Sequence, residues 1–262
     1  MTDLSSDLDL ALAMADIADR ISAPRFRATD LVVDTKPDLS PVSDVDRGVE
    51  QALREHLATE RPGDGILGEE FGTLGPSTRR WVIDPIDGTK NYVRGVPVWA
   101  TLIGLMQDDE VVVGVVSAPA LGRRWWAARG AGAWATDPLA DHPRRLQVSA
   151  VASLADASLS YSDAIGWPER GAGEGLQRLL STTWRQRAYG DFWSHMMVAE
   201  GVVDIAAEPQ LETYDMAALV PIVEEAGGRM TSYSGGSALG GGSALTTNGS
   251  LHDEVLRVIS AQ

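Results

Sequence analysis

The sequence predicts an α/β or mixed α+β fold. Short apolar runs and runs at helical spacing alternate along the whole chain, and Gly, Pro and Asp clusters separate them. The 262 residues are 44% apolar and contain no cysteine, so a large core is available without crosslinks.

Leu10, Met14, Ile17 and Ile21 fall on one helical face with Ala11 and Ala18 beside them, which predicts an amphipathic first helix. Leu31 to Lys36 reads as a short strand ended by Pro37. Ser43, with Asp46 three residues on, is a capping signal, and Val45, Val49, Leu53 and Leu57 carry a second helix from it. Arg61-Pro-Gly-Asp-Gly stops that helix. Ile66-Leu67 and Trp81-Val82-Ile83 are short runs that each lead into acidic residues. Thr101 to Met106, Val111 to Ala118 and Arg124 to Ala128 read as strands, and Ala131 to Ala135 adds a shorter one.

Thr136 to Arg145, with two prolines and mixed charge, reads as a linker. It divides an N-terminal lobe, residues 1–140, from a C-terminal lobe, residues 141–262. Beyond it, Ala157 to Tyr161 and Val203 to Ala207 predict strands. Asp191 to Glu200 and Asp215 to Ala226 predict helices, the latter closed by Gly227-Gly228. Gly-Gly-Ser-Ala-Leu occurs at Gly235 and again at Gly241, which predicts a mobile or tightly turning loop, and Leu251 to Ile259 is a final helix.

Net charge is -15, from 22 basic and 37 acidic residues, which disfavours nucleic acids and anionic membranes as general partners. A phosphate ester would be an unexpected substrate for such a chain unless bound cations reversed the sign locally. Without cysteine, a metal must be held by oxygen or imidazole, which favours hard cations such as magnesium. Met1 to Asp9 has three aspartates and no basic segment, so it does not read as a signal peptide. Val96 to Met106, the longest apolar candidate, carries Pro97, Trp99 and Gly104 and reads as a buried strand. A cytoplasmic protein is expected.

The chemistry-bearing stretch is Trp81-Val-Ile-Asp-Pro-Ile-Asp-Gly-Thr-Lys-Asn. Asp84 and Asp87 flank Pro85, which stiffens the backbone so that both carboxylates can aim at one point with the Ile86 carbonyl beside them. Gly88 and Thr89 follow, at the start of a helix whose free amides can hold an anion. Taken alone, Asp-Pro-x-Asp-Gly is a tight turn. Glu69-Glu70 after Gly68 closes the preceding strand, and Asp215 opens a late helix after Tyr214, where an aspartate commonly acts as a cap. The four histidines, His56, His142, His195 and His252, lie outside these motifs and read as surface or core residues.

In this order and spacing the elements resemble the inositol monophosphatase family of magnesium-dependent phosphatases. The resemblance is carried by Trp81 to Thr89, Tyr214-Asp-Met-Ala-Ala with Glu225-Ala-Gly-Gly, Gly68-Glu-Glu, and Pro41-Val-Ser-Asp-Val-Asp. It extends over nearly the whole chain. One departure is Tyr214, where the family commonly has tryptophan. The resemblance implies a layered αβαβα sugar-phosphatase fold, a homodimer, and a cluster of roughly two or three magnesium ions. Glu69, Asp84 and the Ile86 carbonyl would hold one ion; Asp84, Asp87 and Asp215 would hold a second; a weaker third would lie near Glu69 and Asp44. Gly88 and Thr89 amides would bind phosphate oxygens, and Thr89 paired with Asp44 would orient and deprotonate the attacking water.

Arg187-Ala-Tyr-Gly-Asp191, together with Arg124-Trp-Trp-Ala-Ala-Arg-Gly, resembles the histidinol-phosphate phosphatase branch of that family. The branch implies hydrolysis of L-histidinol phosphate in histidine biosynthesis, with Asp191, Glu208 and Arg187 near the alcohol end. Asp191 also reads as a helix cap after Gly190, and Trp125 and Trp126 as core. The alternatives are a phosphatase of the same family acting on inositol or another sugar or nucleotide phosphate, and a non-catalytic metal- or anion-binding protein.

Overall fold

Helix α1 (Leu4–Arg25) buries Leu10, Ala11, Met14, Ala15 and Ala18, with Ile17 and Ile21 packed against the same core. The structure, a computed structural model, describes residues 4–37, 39–162 and 164–260. Strands β1 (Val33–Thr35) and β2 (Pro41–Ser43) form an antiparallel ribbon that delivers the chain to α2 (Asp44–Glu60). The capping box is formed. Ser43 Oγ accepts from the Val45 and Asp46 amides, and Asp46 accepts from the Ser43 amide.

The next elements are β3 (Gly65–Gly68), β4 (Gly72–Leu74), β5 (Arg79–Asp87), α3 (Thr89–Arg94), β6 (Ala100–Gln107), β7 (Glu110–Ala118), β8 (Arg123–Ala128), β9 (Ala133–Ala135) and β10 (Arg144–Arg145). Their strands make an eight-stranded sheet in the order β10-β9-β8-β7-β6-β5-β3-β4, antiparallel except for the β3–β5 pair. The predicted linker thus ends in a strand that extends this sheet at its β9 edge.

After it come β11 (Ser158–Tyr161), α4 (Gly166–Glu169), α5 (Gly173–Thr182), β12 (Arg185–Arg187), α6 (Asp191–Ala199), β13 (Ile205–Glu208), α7 (Thr213–Met216), α8 (Leu219–Glu225), β14 (Arg229–Thr231), α9 (Ala238–Gly241), β15 (Ala244–Thr247) and α10 (His252–Ser260). The second sheet has the order β12-β11-β13-β15-β14.

Five layers result. Helices α1 and α2 cover one face of the large sheet, burying Trp81, Ile83 and Trp99 with Met14, Val49 and Leu53. Helices α6 and α8 lie between the sheets, where Leu102, Val116 and Trp125 meet Phe192, Met196, Leu219 and Ile222. Helices α5 and α10 close the outer face of the small sheet through Leu176, Leu179, Val255 and Ile259. The layered αβαβα expectation holds, and Trp125 is core as read. Among the described residues no helix is long and apolar enough to cross a membrane.

Two readings change. The expected Asp215–Ala226 helix is two, α7 and α8, because Pro221 has no amide to bond back to Ala217. The break is seated in a notch: Gly104 and Gly114 pair across β6 and β7, and a Cβ on Gly114 would stand 2.2 Å from the Ala218 carbonyl oxygen. Two bare glycines therefore let the helix junction approach the sheet that carries Asp84. In the repeated glycine segment, the second copy opens β15, an interior strand of the small sheet. Its Ala244, Leu245, Thr246 and Thr247 are all buried, which holds them as strand despite the preceding glycines.

Candidate active site

Strand β5 leaves the sheet through a bulge. Asp84 pairs with Leu102 and Asp87 with Ala100, so one extra residue is inserted on the β5 side. Residues three apart on a regular strand face opposite sides; the extra residue lets Asp84 and Asp87 face the same one. The bulge is pinned by Ile86 N donating to Asp84 Oδ1 (2.9 Å) and Thr101 Oγ1 donating to the Pro85 carbonyl (2.8 Å). Gly88 then turns with φ 80°, a left-handed conformation, and a Cβ there would meet the Val98 carbonyl oxygen at 3.0 Å.

From the second half of the chain, α7 brings Asp215 to this point. Asp215 is held by a capping box with Glu212, whose amide donates to Asp215 Oδ2 at 2.7 Å. Asp84, Asp87 and Asp215 each offer a carboxylate oxygen, and all three oxygens lie within 4.8 Å of one another. Asp84 and Asp87 are buried.

Burial and then crowding raise the pKa values of the three aspartates. Asp84 is pushed well above the carboxylate range by burial and then by the charges of Glu69, Asp87 and Asp215. Asp87 is pushed up by burial, Asp191 and Asp215, against a hydrogen bond from the Phe192 amide. Asp215 rises to about 7, through burial and the charges of Glu69 and Glu208, with the Glu212 amide opposing. Glu69 stands at the edge of the cluster and shares the Lys36 ammonium with Glu70, at 2.7 and 2.6 Å. Burial opposes the Lys36 charge, but the two carboxylates outweigh it and keep the ammonium protonated.

These donors are hard oxygens, and among the described residues no soft ligand joins them. Carboxylates packed so closely that they retain protons are the donor set a divalent cation would replace those protons in. The Ile86 carbonyl, read as a further donor, lies 2.9 Å from Thr89 Oγ1, whose single proton it shares with Asp46 Oδ1 as alternative acceptors.

The sequence-predicted pairing of Thr89 with Asp44 is corrected. Thr89 Oγ1 lies 3.1 Å from Asp46 Oδ1. Asp44, the first residue of α2, points outward to Arg25 (3.3 Å) and accepts from the Val32 amide. Asp46 is two positions on, fully buried, with its carboxyl raised by burial and opposed by the Ser43 hydrogen bonds. Its place in the capping box was legible; its reach to Thr89 was not.

The cluster opens into a cleft of about 660 Å³ whose lining includes Glu69, Asp87, Gly88, Thr89, Lys90, Asn91, Tyr161, Tyr189, Asp191, Glu208, Tyr214 and Asp215. Asp191 does not cap its own helix; Gly190 is the cap residue and has no side chain to do so. Instead Asp191 takes φ 51° and its Oδ2 accepts from Asn91 Nδ2 at 2.7 Å. Burial and the charge of Glu208 raise Asp191 to about 7, against Lys90 and Asn91. The first turn of α6 is served by Asp87, whose Oδ2 accepts from the Phe192 amide at 2.9 Å. Glu208, on β13, is buried and faces His195, with Oε1 3.4 Å from Nε2. Arg187 is placed elsewhere: it is exposed on β12 and turns back to the Gln186 carbonyl. As site residues, Lys36, Asp46, Asn91 and His195 escaped the sequence reading, although Asp46 stood in the capping box and Asn91 at the end of the acidic stretch.

Comparison with known proteins follows the same outline. A family model described as the inositol monophosphatase family matches residues 3–261. A histidinol-phosphatase of Mycobacterium tuberculosis is 59% identical over 97% of this chain and 98% of its own. One of Streptomyces coelicolor is 55% identical over 98% and 97%. Among solved structures, an inositol monophosphatase from Zymomonas mobilis superposes with a TM-score of 0.86 at 30% identity, covering 99% of both chains. The extragenic suppressor protein suhB of Bartonella henselae gives a TM-score of 0.88 at 27% identity, covering 98% of this chain and 99% of its own.

Proposed function

The chain belongs to the inositol monophosphatase family, and on that premise we propose that it hydrolyses L-histidinol phosphate to L-histidinol and phosphate in a metal-dependent reaction. One observation carries the reading: Asp191 and Glu208 line the same cleft as the Asp87 and Asp215 carboxylates. The product alcohol bears a primary ammonium and an imidazole. Buried carboxylates beside the position of the ester's alcohol suit such a cation far better than an uncharged polyol. Two relatives that match nearly end to end carry the name histidinol-phosphatase, which supports the same choice.

Glu69, Asp84, the Ile86 carbonyl, Asp87 and Asp215 would hold the cations, magnesium in roughly two or three copies. Such ions supply positive charge against the phosphoryl oxygens and ease deprotonation of water. The chain's own residues do the rest. With the Ile86 carbonyl committed to a cation, the single Thr89 hydroxyl proton would go to Asp46, leaving the Oγ1 lone pairs for the attacking water; the water passes its proton to Oγ1 as Oγ1 passes its own to Asp46. Gly88 and Thr89 amides orient the phosphate. Asp191, fixed by Asn91, meets the cationic end of the substrate. A cytoplasmic homodimer completes the proposal.

The test is phosphate release from histidinol phosphate, inositol 1-phosphate and glycerol 2-phosphate, side by side with magnesium. Histidinol phosphate should have the highest kcat/KM; a clear preference for inositol phosphate refutes the substrate, and no turnover of any ester refutes the enzyme. Asp191→Asn should raise the KM for histidinol phosphate on the order of tenfold and alter that for glycerol 2-phosphate far less. Equal effects on both esters would remove Asp191 from recognition.

A further inference from the structure

Asp191 opens α6 and His195 lies four residues on, and α6 packs on β13, which carries Glu208. His195 is fully buried. Its Nδ1 lies 2.8 Å from Thr246 Oγ1 on β15. Its Nε2 lies 3.4 Å from Glu208 Oε1, and neither of these two buried atoms has a hydrogen-bond partner among the described residues. The Tyr233 hydroxyl, which feels the Glu208 charge, is likewise buried with no partner among the described residues. Buried polar atoms left this way cost free energy, and the first pair, already 3.4 Å apart, needs only a small rearrangement to join.

The two tautomers of a neutral ring differ sharply here. With the proton on Nδ1, the Nε2 lone pair would face a carboxylate oxygen and the contact would be repulsive. With the proton on Nε2, the ring donates to Glu208 Oε1 while the Thr246 hydroxyl donates to Nδ1, and both buried groups are satisfied. Oε1 is the Glu208 oxygen turned to the protein interior; the carboxylate also lines the cleft.

We propose that His195 is a positioning residue for substrate selection: as the Nε2–H tautomer, tied to Thr246, it fixes Glu208 so that its carboxylate presents a preset negative charge to the cationic end of the ester. The role rests on the histidinol-phosphate reading above; the His195–Glu208 pairing does not. Burial of the ring away from the cleft means that it acts through Glu208 alone, without touching the substrate.

Two measurements test it. Long-range ¹⁵N–¹H correlation spectra of the wild-type protein report the tautomer directly: Nε2–H is expected, and Nδ1–H overturns the pairing. For the role, His195→Met removes the donor at similar volume, and His195→Gln restores an N–H near the Nε2 position. The ratio of kcat/KM for histidinol phosphate over glycerol 2-phosphate should fall on the order of tenfold in the Met variant, through KM, and largely recover in the Gln variant. An unchanged ratio, or a Gln variant as impaired as Met, overturns the positioning role. Should His195→Met not fold, the Gln variant and the wild-type spectrum decide. Wild-type protein inactive on histidinol phosphate would defeat the substrate reading and the role together, whereas an Nδ1–H ring in an active enzyme would defeat this inference alone.

Discussion

Replacing Asp84 by asparagine should make the cation-free protein more stable and inactive at once. Asp84 is 2% exposed and sits in the one place where Asp87 and Asp215 both reach within 4.8 Å. At an effective dielectric of ~20, two unit charges at that distance repel by about 3.5 kcal/mol. Proton uptake relieves part of this, so the net gain on removing one charge is set at roughly 2–3 kcal/mol, a rise in Tm of about 5–10 °C. The substitution is otherwise conservative: the Ile86 amide donates to Asp84 Oδ1 at 2.9 Å, and the amide oxygen of the replacing side chain can accept the same bond.

The pH dependence follows from the direction of the shifts. Asp84 and Asp87 are raised and Asp215 is raised to about 7, so the folded chain holds protons that the unfolded chain has already released. The contribution of these carboxylates to the stability of the cation-free wild type is therefore greatest on the acid side and declines as pH climbs from the ordinary carboxylate range through about 7. The advantage of Asp84→Asn should be largest at pH 8 and shrink toward pH 5. Thermal melts in chelator at both values, repeated with magnesium, give the result: wild type gains strongly from the ion and the variant hardly at all. A variant less stable than wild type in chelator at pH 8, or a gain that ignores pH, would refute the electrostatic account.

Two other substitutions separate the machinery from its surroundings. Asp46→Asn should lower kcat about 100-fold or more with little change in KM, while Asp44→Asn, whose exposed bridge to Arg25 spans 3.3 Å, should stay within about twofold of wild type; steady-state kinetics on both variants decides between the two aspartates. Gly114→Ala should cost about 1–3 kcal/mol, because its Cβ would stand 2.2 Å from the Ala218 carbonyl oxygen. It should also weaken stabilisation by magnesium, measured by melts with and without the ion, because the α7–α8 junction that carries Asp215 must lift from the sheet.

Much of the site was legible because its chemistry is local in the chain. Asp84, Ile86, Asp87, Gly88 and Thr89 lie in one turn, and the constraint of Pro85 can be read from residue types alone. What was missed depends on distance in sequence. Thr89 meets Asp46 across 43 positions, and Asn91 meets Asp191 across 100. Choosing between Asp44 and Asp46 required knowing which way the first turn of α2 faces, and both are acids at the start of the same helix. The fold shows the same division. Strand β7 was read to within one residue and the buried face of α1 was read without its ends, while β4, β12 and β14 are three-residue strands recognised only through their partners. Strand β15 was hidden by the glycine repeat, because its burial comes from β13 and β14 on either side.

The placement of the acids on β5 explains why their repulsion persists. Trp81, Val82, Ile83 and Ile86 surround Asp84 on the same strand and are each at most 1% exposed. At about 1.5–3 kcal/mol per fully buried side chain, these four outweigh the repulsion estimated for any one carboxylate pair. Strand β5 is interior to the sheet, bonded to β3 on one side and β6 on the other, so it cannot shift to let the charges separate. Asp215 is constrained from the opposite direction by the glycine notch. A loop-borne cluster would splay apart and lose its geometry. This one can be relieved only by gaining positive charge, as a proton or as a cation, and the ester's phosphate can approach only after that charge has arrived.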